Sequence, residues 1–234
     1  MSISGLFPIE RWDFKSRSVL TSLPEHELQV LMANTTEHAY RKGEIIFREG
    51  GVPTGIFYIK DGKVKKYKVD KEGREQIIYV ANTNELVGYH ALLAEERFPD
   101  SAAVIEDSTI AFIPKEDFLS VLSSSKQLAN QLLKMLSHEF AVFANTVALL
   151  GQRNVRERFA MQLILMREKY KRNFIPGMEV EIDMSRSDLA GLVGTARENI
   201  VRLLKEFKEE GILETRGRKI IVRDVRKLLS LANY

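Results

Sequence analysis

One stretch of the sequence places apolar residues alternately four and three positions apart for more than twenty residues. They are Ala129, Leu133, Leu136, Phe140, Phe143, Val147 and Leu150. Three such heptads without Gly or Pro predict one long α-helix of about 30 Å. A helix of this kind must cover its apolar seam, either against its own domain or against another helix. Because a strict heptad seam is narrower than the stripe that a globular core requires, we favour pairing with an identical helix, and therefore a homodimer.

The part of the chain before this helix has the pattern of a small all-β domain. Between about Ala39 and Pro114, short apolar runs alternate with turns that contain glycine. Asp61-Gly62 separates two of these runs and predicts a hairpin, because glycine accepts the positive φ of primed turns. The runs are residues 45–47, 56–59, 64–69, 77–80, 102–105 and 110–113. Strands at this spacing predict a sandwich or roll.

Composition limits the chemistry of the chain. It has no cysteine, which excludes disulfides, thiolate nucleophiles and cysteine-bound zinc or iron–sulfur clusters. No apolar run approaches the roughly 20 residues that span a bilayer, and the first residues lack the basic and apolar stretches of a signal peptide. We therefore expect a cytoplasmic protein without a membrane partner.

Charge is distributed unevenly along the chain. Residues 151–234 carry 18 of the 35 Lys and Arg but only 12 of the 32 Asp and Glu, a net charge of +6, whereas residues 1–150 have a net charge of −3. The basic C-terminal part favours a polyanionic partner, although a solvated basic face has the same composition.

The basic part begins with a helical stripe, which ends before Pro176-Gly177, and a short strand at residues 180–182. The stripe consists of Val155, Phe159, Leu163 and Met166. Two capping patterns follow, because Ser185 opens an S-x-x-D sequence and Thr195 opens a T-x-x-E capping box ten residues later. Gly194 between them suits a tight turn. Two helices joined by so short a turn cross steeply, as in a helix-turn-helix.

The second of these helices has an apolar face and a charged face. The apolar face consists of Ile200, Leu203, Leu204 and Phe207, and the outward residues are Arg197, Glu198, Val201, Arg202 and Lys205. Arg197 and Arg202 have planar forks that fit guanine, and Glu198 can accept a hydrogen bond from cytosine. In a purely structural alternative, Glu198 completes the capping box and pairs with Arg202. We favour base contacts for these three, and a phosphate contact or solvation for Lys205.

A basic hairpin is predicted after Gly211. Residues 212–215 and 220–222 have the pattern of two strands around the turn Arg216-Gly217-Arg218-Lys219. A basic turn next to a recognition helix favours a wing that holds the DNA backbone without reading sequence. The alternative is a charged turn that is only solvated.

The order of these parts resembles the CRP/FNR family of bacterial transcription regulators over nearly the whole chain. The most specific block is residues 189–202, LAGLVGTARENIVR. The resemblance implies an α+β protein with a cyclic-nucleotide-binding-like jelly roll, a dimerisation helix and a C-terminal winged helix-turn-helix. The expected limits of these parts are 1–124, 125–152 and 153–234.

The resemblance also implies the partners. Arg197, Glu198 and Arg202 correspond to family residues that read a TGTGA-like half-site, so a dimer would bind a palindrome in double-stranded DNA. Ser185 and the turn with Arg216 and Arg218 lie where family members contact phosphates. Thr195 belongs to the same expected DNA surface, and RNA polymerase is expected as a further partner.

The sensor part departs from the family pattern. Members that bind cyclic AMP have Gly-Glu-Leu and Arg-Ser-Ala blocks, whose Glu binds the ribose and whose Arg and Ser bind the phosphate. Here the blocks are Gly88-Tyr89-His90 and Asp100-Ser101-Ala102, and an acid at position 100 repels a phosphate. Phe143 and Ala144 stand in place of the Thr-Ser pair that contacts adenine. We expect no binding of cyclic AMP, and the absence of cysteine removes an FNR-type iron–sulfur cluster.

An effector pocket is still expected at this place, open to an apolar or aromatic small molecule. Its residues are Gly88, Tyr89, His90, Ser101 and Phe143. His90 as a haem ligand is a weaker alternative, because an isolated histidine is more often simply hydrogen-bonded. Arg97, Lys65 and Lys66 have the charge to bind an anion, although a solvated face explains them as well. We expect no resident cofactor or metal.

Two other functions were weighed against an effector-controlled regulator. A regulator of the same build without any ligand would be controlled by its own abundance. An enzyme that used the roll as a cupin-like barrel would need clustered metal ligands. The histidines at positions 26, 38, 90 and 138 are scattered, so we expect no enzyme.

Overall fold

The computed structural model describes residues 7–14, 17–21, 23–171 and 179–233. The chain divides into two compact units, which we name the N-terminal and C-terminal units. The N-terminal unit comprises Phe14–Glu72 and Ile77–Ala141, and the C-terminal unit comprises Met1–Asp13, Gly73–Gln76 and Val142–Tyr234. The predicted mixture of a β-rich part, a long helix and a helical C-terminal part is confirmed. The three domain limits expected from the sequence remain a prediction.

The N-terminal unit is built on a roll of short antiparallel strands. They are β1 (Thr36–Tyr40), β2 (Ile45–Phe47), β3 (Gly55–Asp61), β4 (Lys63–Val69), β5 (Glu75–Asn82), β6 (Leu86–Val87), β7 (Ser101–Val104) and β8 (Ser108–Pro114). They form two four-stranded sheets with the orders β1-β8-β3-β6 and β2-β7-β4-β5. Neighbours that are distant in sequence are typical of a jelly roll, and the predicted all-β roll is confirmed.

The hairpin predicted at Asp61-Gly62 is wrong. Gly62 does turn the chain with a φ of 104°, but β3 and β4 belong to different sheets. The turn is a corner at which the chain leaves one sheet for the other. A Cβ on Gly62 would lie 2.0 Å from the hydroxyl oxygen of Ser108, so this corner requires glycine for space as well as for φ.

The helices of the N-terminal unit cover the roll. They are α1 (Arg17–Thr21), α2 (Glu25–Met32), α3 (Tyr89–Ala94), α4 (Lys115–Ser124) and the first part of α5 (Lys126–Gln152). Leu128, Leu132 and Met135 of α5 share one buried cluster with Ile56 of β3 and Phe118 of α4. Burial of such side chains contributes about 1.5–3 kcal/mol each, so α5 is held firmly on its own roll.

Helix α5 confirms the predicted long helix and has a second apolar face. Three positions of the predicted seam, Leu133, Phe140 and Val147, are 64%, 77% and 69% exposed, whereas Leu136 packs against the buried cluster of the N-terminal unit. The docking alternative is therefore realised mainly by neighbouring positions, and every second position of the seam is left exposed. Its pairing with an identical helix remains a prediction.

The C-terminal unit combines helices with a small sheet. Its elements are a 3₁₀ turn (Ile9–Arg11), the end of α5, α6 (Val155–Lys169), β9 (Glu181–Asp183), α7 (Arg186–Val193), α8 (Arg197–Glu209), β10 (Leu213–Arg216), β11 (Lys219–Val222) and α9 (Val225–Leu231). The sheet has the order β10-β11-β9. The predicted stripe helix and the strand before Ser185 are confirmed as α6 and β9, while Pro176-Gly177 lies outside the described residues. Of the helices in the described ranges, none has both the length and the apolar character to cross a bilayer.

Candidate DNA-binding surface and effector pocket

The helix-turn-helix forms where local sequence signals place it. Ser185 caps α7, because its side-chain oxygen accepts a hydrogen bond from the N–H of Asp188 at 2.9 Å. The Ser185 hydroxyl in turn donates to the Asp188 carboxylate at 2.6 Å. Gly194 ends α7 with a φ of 68°, and its N–H donates to the carbonyl of Ala190. The predicted cap, helix, glycine turn and second helix are confirmed, and the Ser185 hydroxyl is committed to the cap.

The capping box predicted at Thr195 is wrong. Helix α8 begins at Arg197, and its N-cap is Ala196, which makes no side-chain cap. The N–H of Thr195 still donates to the carbonyl of Ala190, so this residue belongs to the end of α7. Glu198 is consequently one position too early to close a capping box. The Thr195 hydroxyl instead accepts a hydrogen bond from the Asn199 side chain at 2.9 Å, which leaves its own proton available to a phosphate.

Helix α8 separates a buried face from an open charged face. Ile200, Leu203, Leu204 and Phe207 are buried, as predicted. Arg197, Glu198 and Arg202 are exposed, and within the described chain they make no ion pair or side-chain hydrogen bond, with each other or elsewhere. The structural alternative for Glu198 therefore has neither of its contacts. Lys205 is exposed as well and lies 3.8 Å from Glu209.

Arg158 positions the turn between α7 and α8, and the sequence analysis did not identify it. Its guanidinium donates to the carbonyls of Val193 (2.8 Å) and Gly194 (3.1 Å) at the end of α7, and to that of Arg153 (3.0 Å) just after α5. One cation thus satisfies carbonyls at the C-terminal ends of two helices, where the helix dipole also favours positive charge. An arginine directly before the buried Phe159 gives little sequence signal of this role.

The wing predicted after α8 is present. Strands β10 and β11 pair antiparallel with Arg216 opposite Lys219, so Gly217-Arg218 is a two-residue turn. Gly217 supplies the positive φ, 59°, that such turns need. Arg186 at the start of α7 donates to the carbonyl of Arg218 at 2.9 Å, which ties the tip of the wing to the helix-turn-helix.

The cations of the wing are paired with carboxylates of the same sheet and with Glu179, which lies just before β9. The pairs are Arg216 with Glu179, Arg218 with Asp183, Lys219 with Glu181, and Arg223 with Glu179 and Glu214. The hydrogen bonds that Arg218 donates to the Asp183 carboxylate raise the pKa of Arg218, and those that Arg223 donates to Glu179 and Glu214 lower the pKa of these two acids. A phosphate that approaches this wing therefore competes with carboxylates that are already bound.

In the expected effector pocket, Tyr89 and His90 of α3 both bind the carboxylate of Glu139 on α5. The Tyr89 hydroxyl donates to Oε1, and Nε2 of His90 lies 2.6 Å from Oε2. Tyr89 and Glu139 are each only 1% exposed. The rings of Tyr89 and His90 stack with their centroids 4.1 Å apart. Burial, and next the charge of Glu139, raise the pKa of Tyr89 well above its ordinary value. Burial lowers the pKa of His90, and the hydrogen bond to Glu139 partly offsets this effect.

The acid at position 100 is neutralised rather than isolated. Asp100 lies 3.2 Å from Nζ of Lys66, and both side chains are less than a tenth exposed. The repulsion expected from Asp100 alone is therefore reduced, but the cation at this place is already bound to a carboxylate. Lys66 is thus buried and paired with Asp100. The sequence suggested that it either binds an anion or lies on a solvated face, and the structure agrees with neither.

The other residues of the expected pocket that belong to the N-terminal unit serve the packing of the roll. The Ser101 hydroxyl accepts a hydrogen bond from the N–H of Glu49 at 2.9 Å. Gly88 has a φ of 87° at the start of α3, where a Cβ would press on Phe98. Phe143 belongs to the C-terminal unit, and its place in the pocket remains a prediction.

Glu139 is the pocket residue that the sequence analysis missed. It interrupts a second apolar stripe of α5, formed by Leu128, Leu132, Met135 and Val142, at the same alternating spacing as the seam. A carboxylate in such a stripe signals a buried polar contact, because an unpaired charge is not tolerated there. No group of three or more metal-ligand side chains occurs in the part of the chain that the structure describes.

Comparisons with known proteins agree with this arrangement in both units. Residues 37–125 match the family model of the cyclic nucleotide-binding domain, and residues 157–231 match that of the Crp-like helix-turn-helix domain. The fumarate and nitrate reduction regulatory protein of Escherichia coli K12 is 27% identical over 215 residues, which cover 91% of this chain and 85% of that protein. The anaerobic regulatory protein of Aggregatibacter actinomycetemcomitans is 26% identical over 213 residues, which cover 90% and 82%.

Solved structures have the same fold. FixK2 from Bradyrhizobium japonicum matches with a TM-score of 0.72 and 25% identity, over 84% of this chain and 96% of that one. TTHA1359, a CRP/FNR-family regulator from Thermus thermophilus, matches with a TM-score of 0.71 and 21% identity, over 85% and 99%. These relatives are transcription regulators rather than enzymes. The chain belongs to the CRP/FNR family of DNA-binding transcription regulators.

Proposed function

We propose that the protein acts as a homodimer that recognises a palindromic DNA site and responds to a small molecule other than cyclic AMP. The observation that carries the recognition is the exposed face of α8, where Arg197, Glu198 and Arg202 have no ion pair or side-chain hydrogen bond with any residue that the structure describes. A side chain that is already paired must break that pair before it can bind a base. These three side chains have no such pair to break and can contact base edges directly. In this proposal Thr195, Lys205 and the wing arginines contact phosphates, RNA polymerase is a further partner, and the protein acts in the cytoplasm.

The exposed positions of the heptad seam of α5 support the dimer. Three large apolar side chains at intervals of seven residues, each more than 60% exposed, make a narrow stripe of the kind that coiled coils bury. Two recognition helices related by the resulting two-fold axis would enter major grooves one turn, about 34 Å, apart. A palindrome is the DNA counterpart of that symmetry.

The dimer and its palindrome are tested together. Phe140→Glu places a charge in the seam, and we expect it to give a monomer that has lost binding to a palindrome selected from a random DNA library. Val30→Glu is the matched control, because Val30 is also exposed on a helix (52%) but lies outside the seam. Analytical ultracentrifugation and fluorescence anisotropy measure both properties. A wild-type chain that stays monomeric at micromolar concentration, or that binds palindromic and random DNA equally, contradicts the proposal.

A second candidate, a regulator without ligand, is favoured by the contacts among Tyr89, His90 and Glu139. The Tyr89 hydroxyl and Nε2 of His90 both bind the Glu139 carboxylate, and Lys66 is paired with Asp100, so these groups are already engaged with one another. The two candidates differ in one measurement. Metabolites are screened for an effect on the DNA affinity or the protease sensitivity of the protein. A metabolite that changes either property supports the effector-controlled regulator, and a screen in which none does supports control by abundance.

A further inference from the structure

Helix α8 presents one apolar side chain in the middle of its charged face. Val201 is 51% exposed. The other exposed residues of α8, every residue of which is described, are Arg197, Glu198, Arg202, Lys205, Lys208 and Glu209. Val201 follows Arg197 by four positions and Glu198 by three, so it lies on the same face as both.

The chemistry of Val201 differs from that of its neighbours. It has no donor or acceptor and cannot read a base by hydrogen bonding. Its two γ-methyl groups stand out from the helix in one preferred rotamer, because a β-branched side chain is stiff in a helix. In the major groove, the group that such a side chain complements is the 5-methyl of a pyrimidine, and thymine carries that methyl in ordinary DNA.

Single exposed apolar residues are common on protein surfaces, so exposure alone does not assign a role to Val201. Its position does, because the residues around it are the proposed base readers. A base pair placed between the contacts of Arg197 and Arg202 would bring its major-groove edge to Val201. A cytosine there has a hydrogen in place of the 5-methyl and an amino group beside it, so the contact would bury less apolar surface.

We propose that Val201 is a specificity-determining residue that selects thymine in each half-site by contact with its 5-methyl group. This inference rests on the proposed recognition of DNA by α8 and names one base that the face selects. Thymine and 5-methylcytosine both carry a 5-methyl group. A 5-methylcytosine at this position would therefore make the contact with Val201 that cytosine lacks, provided that the rest of the base pair is tolerated.

The test removes only the methyl group from the DNA. In a palindrome selected with the wild-type dimer, each thymine is replaced in turn by deoxyuridine, which keeps every hydrogen-bonding group. At one symmetric pair of positions we expect affinity to fall about fourfold per half-site, the effect of one buried methyl group. Both half-sites together give about fifteenfold. In the Val201→Ala protein the same replacement should change affinity less than twofold, and a cycle of the two changes isolates the contact.

Matched controls separate the contact from folding and from the proposed function. Alanine favours a helix more than valine does, so Val201→Ala should keep the thermal stability of the wild type. Val30→Ala removes an equally exposed helical valine (52%) in the N-terminal unit and should leave the deoxyuridine effect unchanged.

The outcomes are distinct. If the wild type selects no palindrome, the proposed function fails. If it selects one but no deoxyuridine position is coupled to Val201, the inference fails while the proposed function stands. A further comparison uses a site in which the selected thymine is replaced by cytosine or by 5-methylcytosine. If Val201 reads the methyl group, the site with 5-methylcytosine binds more tightly than the site with cytosine. If Val201 excludes cytosine for another reason, the two sites bind equally.

Discussion

The recognition helix and the wing carry the same kinds of charged residue in opposite surroundings. Arg197 and Arg202 of α8 are exposed and lack intramolecular partners among the described residues, whereas Arg216 and Arg218 of the wing are bound to Glu179 and Asp183. On binding DNA as proposed, an arginine of α8 would exchange only water and counter-ions for a base. An arginine of the wing would also have to give up a carboxylate, so we expect its net contribution to DNA affinity to be smaller.

The effector pocket shows a third state, in which charges are both paired and buried. Lys66 and Asp100 are less than a tenth exposed, and Glu139 is buried between Tyr89 and His90. Exposed pairs such as those of the wing contribute little to stability, because water screens their charges. A buried charge whose partner is removed costs several kcal/mol instead. We therefore expect the ion pairs of the wing to affect DNA affinity and the buried pair of Lys66 and Asp100 to affect the stability of the fold.

The largest effect is expected in the pocket. Asp100→Ala leaves the Lys66 ammonium buried without its partner and should lower the free energy of unfolding by about 3–5 kcal/mol. Lys66→Met combined with Asp100→Leu removes both charges and should recover most of the loss. Glu49→Ala breaks the exposed pair with Lys68 (52% and 44% exposed) and should cost less than about 1 kcal/mol. Denaturant unfolding measures all three, and equal losses for Asp100→Ala and Glu49→Ala would contradict the distinction.

The next largest effect is expected on α8. Arg202→Ala should cost about 1–3 kcal/mol of binding free energy and relax specificity at one guanine of each half-site. Arg226→Ala, which removes an exposed arginine of α9, is the control for the loss of one positive charge. Competition between the selected palindrome and its single-base variants measures specificity. If Arg202→Ala lowers affinity equally for the palindrome and for random DNA, Arg202 is a phosphate contact and its assignment as a base reader is wrong.

The difference between α8 and the pocket also explains what the sequence could predict. Ser185, Gly194 and the stripe from Ile200 to Phe207 lie within 23 residues, so local rules of capping and periodicity were sufficient for the helix-turn-helix. The one local error, at Thr195, arose because two helix ends compete for the same short turn, and the N–H of Thr195 is taken by α7.

Contacts between distant residues were not accessible in this way. The pairing of β3 with β8 joins residues about fifty positions apart, and the local signal at Asp61-Gly62 specified a turn without specifying which sheet follows it. His90 and Glu139 are 49 residues apart, and only the three-dimensional fold brings them together. The carboxylates of the wing were visible in the sequence, but their register against the arginines depends on the pairing of β9 with β11.

A smaller effect is expected from the wing. Arg218→Ala should weaken binding to all sequences similarly and flatten the salt dependence of affinity. Asp183→Asn should have the opposite effect, because it releases Arg218 for a phosphate. We expect it to raise affinity for random DNA and to steepen the slope of log affinity against log salt by up to about 0.9.

The control for the wing removes a negative charge without releasing an arginine. Asp224 caps α9 through the N–H of Lys227, and asparagine caps a helix equally well. Asp224→Asn should therefore change the salt slope less than Asp183→Asn does. Equal slopes for these two variants would mean that only net charge matters and that the pair between Arg218 and Asp183 does not restrain the wing.

The smallest effect is expected from the titration of His90. Nε2 of His90 contacts Glu139, while Nδ1 is buried and has no hydrogen-bond partner among the residues that the structure describes. Protonation would place a proton on Nδ1 without an acceptor and next to the Lys66 ammonium, although Glu139 and Asp100 favour the cation. Burial prevails and lowers the pKa of His90 below its ordinary value of 6.5.

The sign of the pH dependence follows from that shift. Between the lowered pKa and 6.5 the unfolded chain binds more protons than the folded chain, so stability falls as the pH drops below about 6.5. His90→Gln keeps a donor to Glu139 but does not titrate, and its stability should depend less on pH between 7 and 5. His38→Gln, on the exposed strand β1, should retain the wild-type dependence. If His90→Gln and the wild type lose stability in parallel over this interval, His90 does not oppose protonation in the folded chain, and the pocket is more open to water than its contacts indicate.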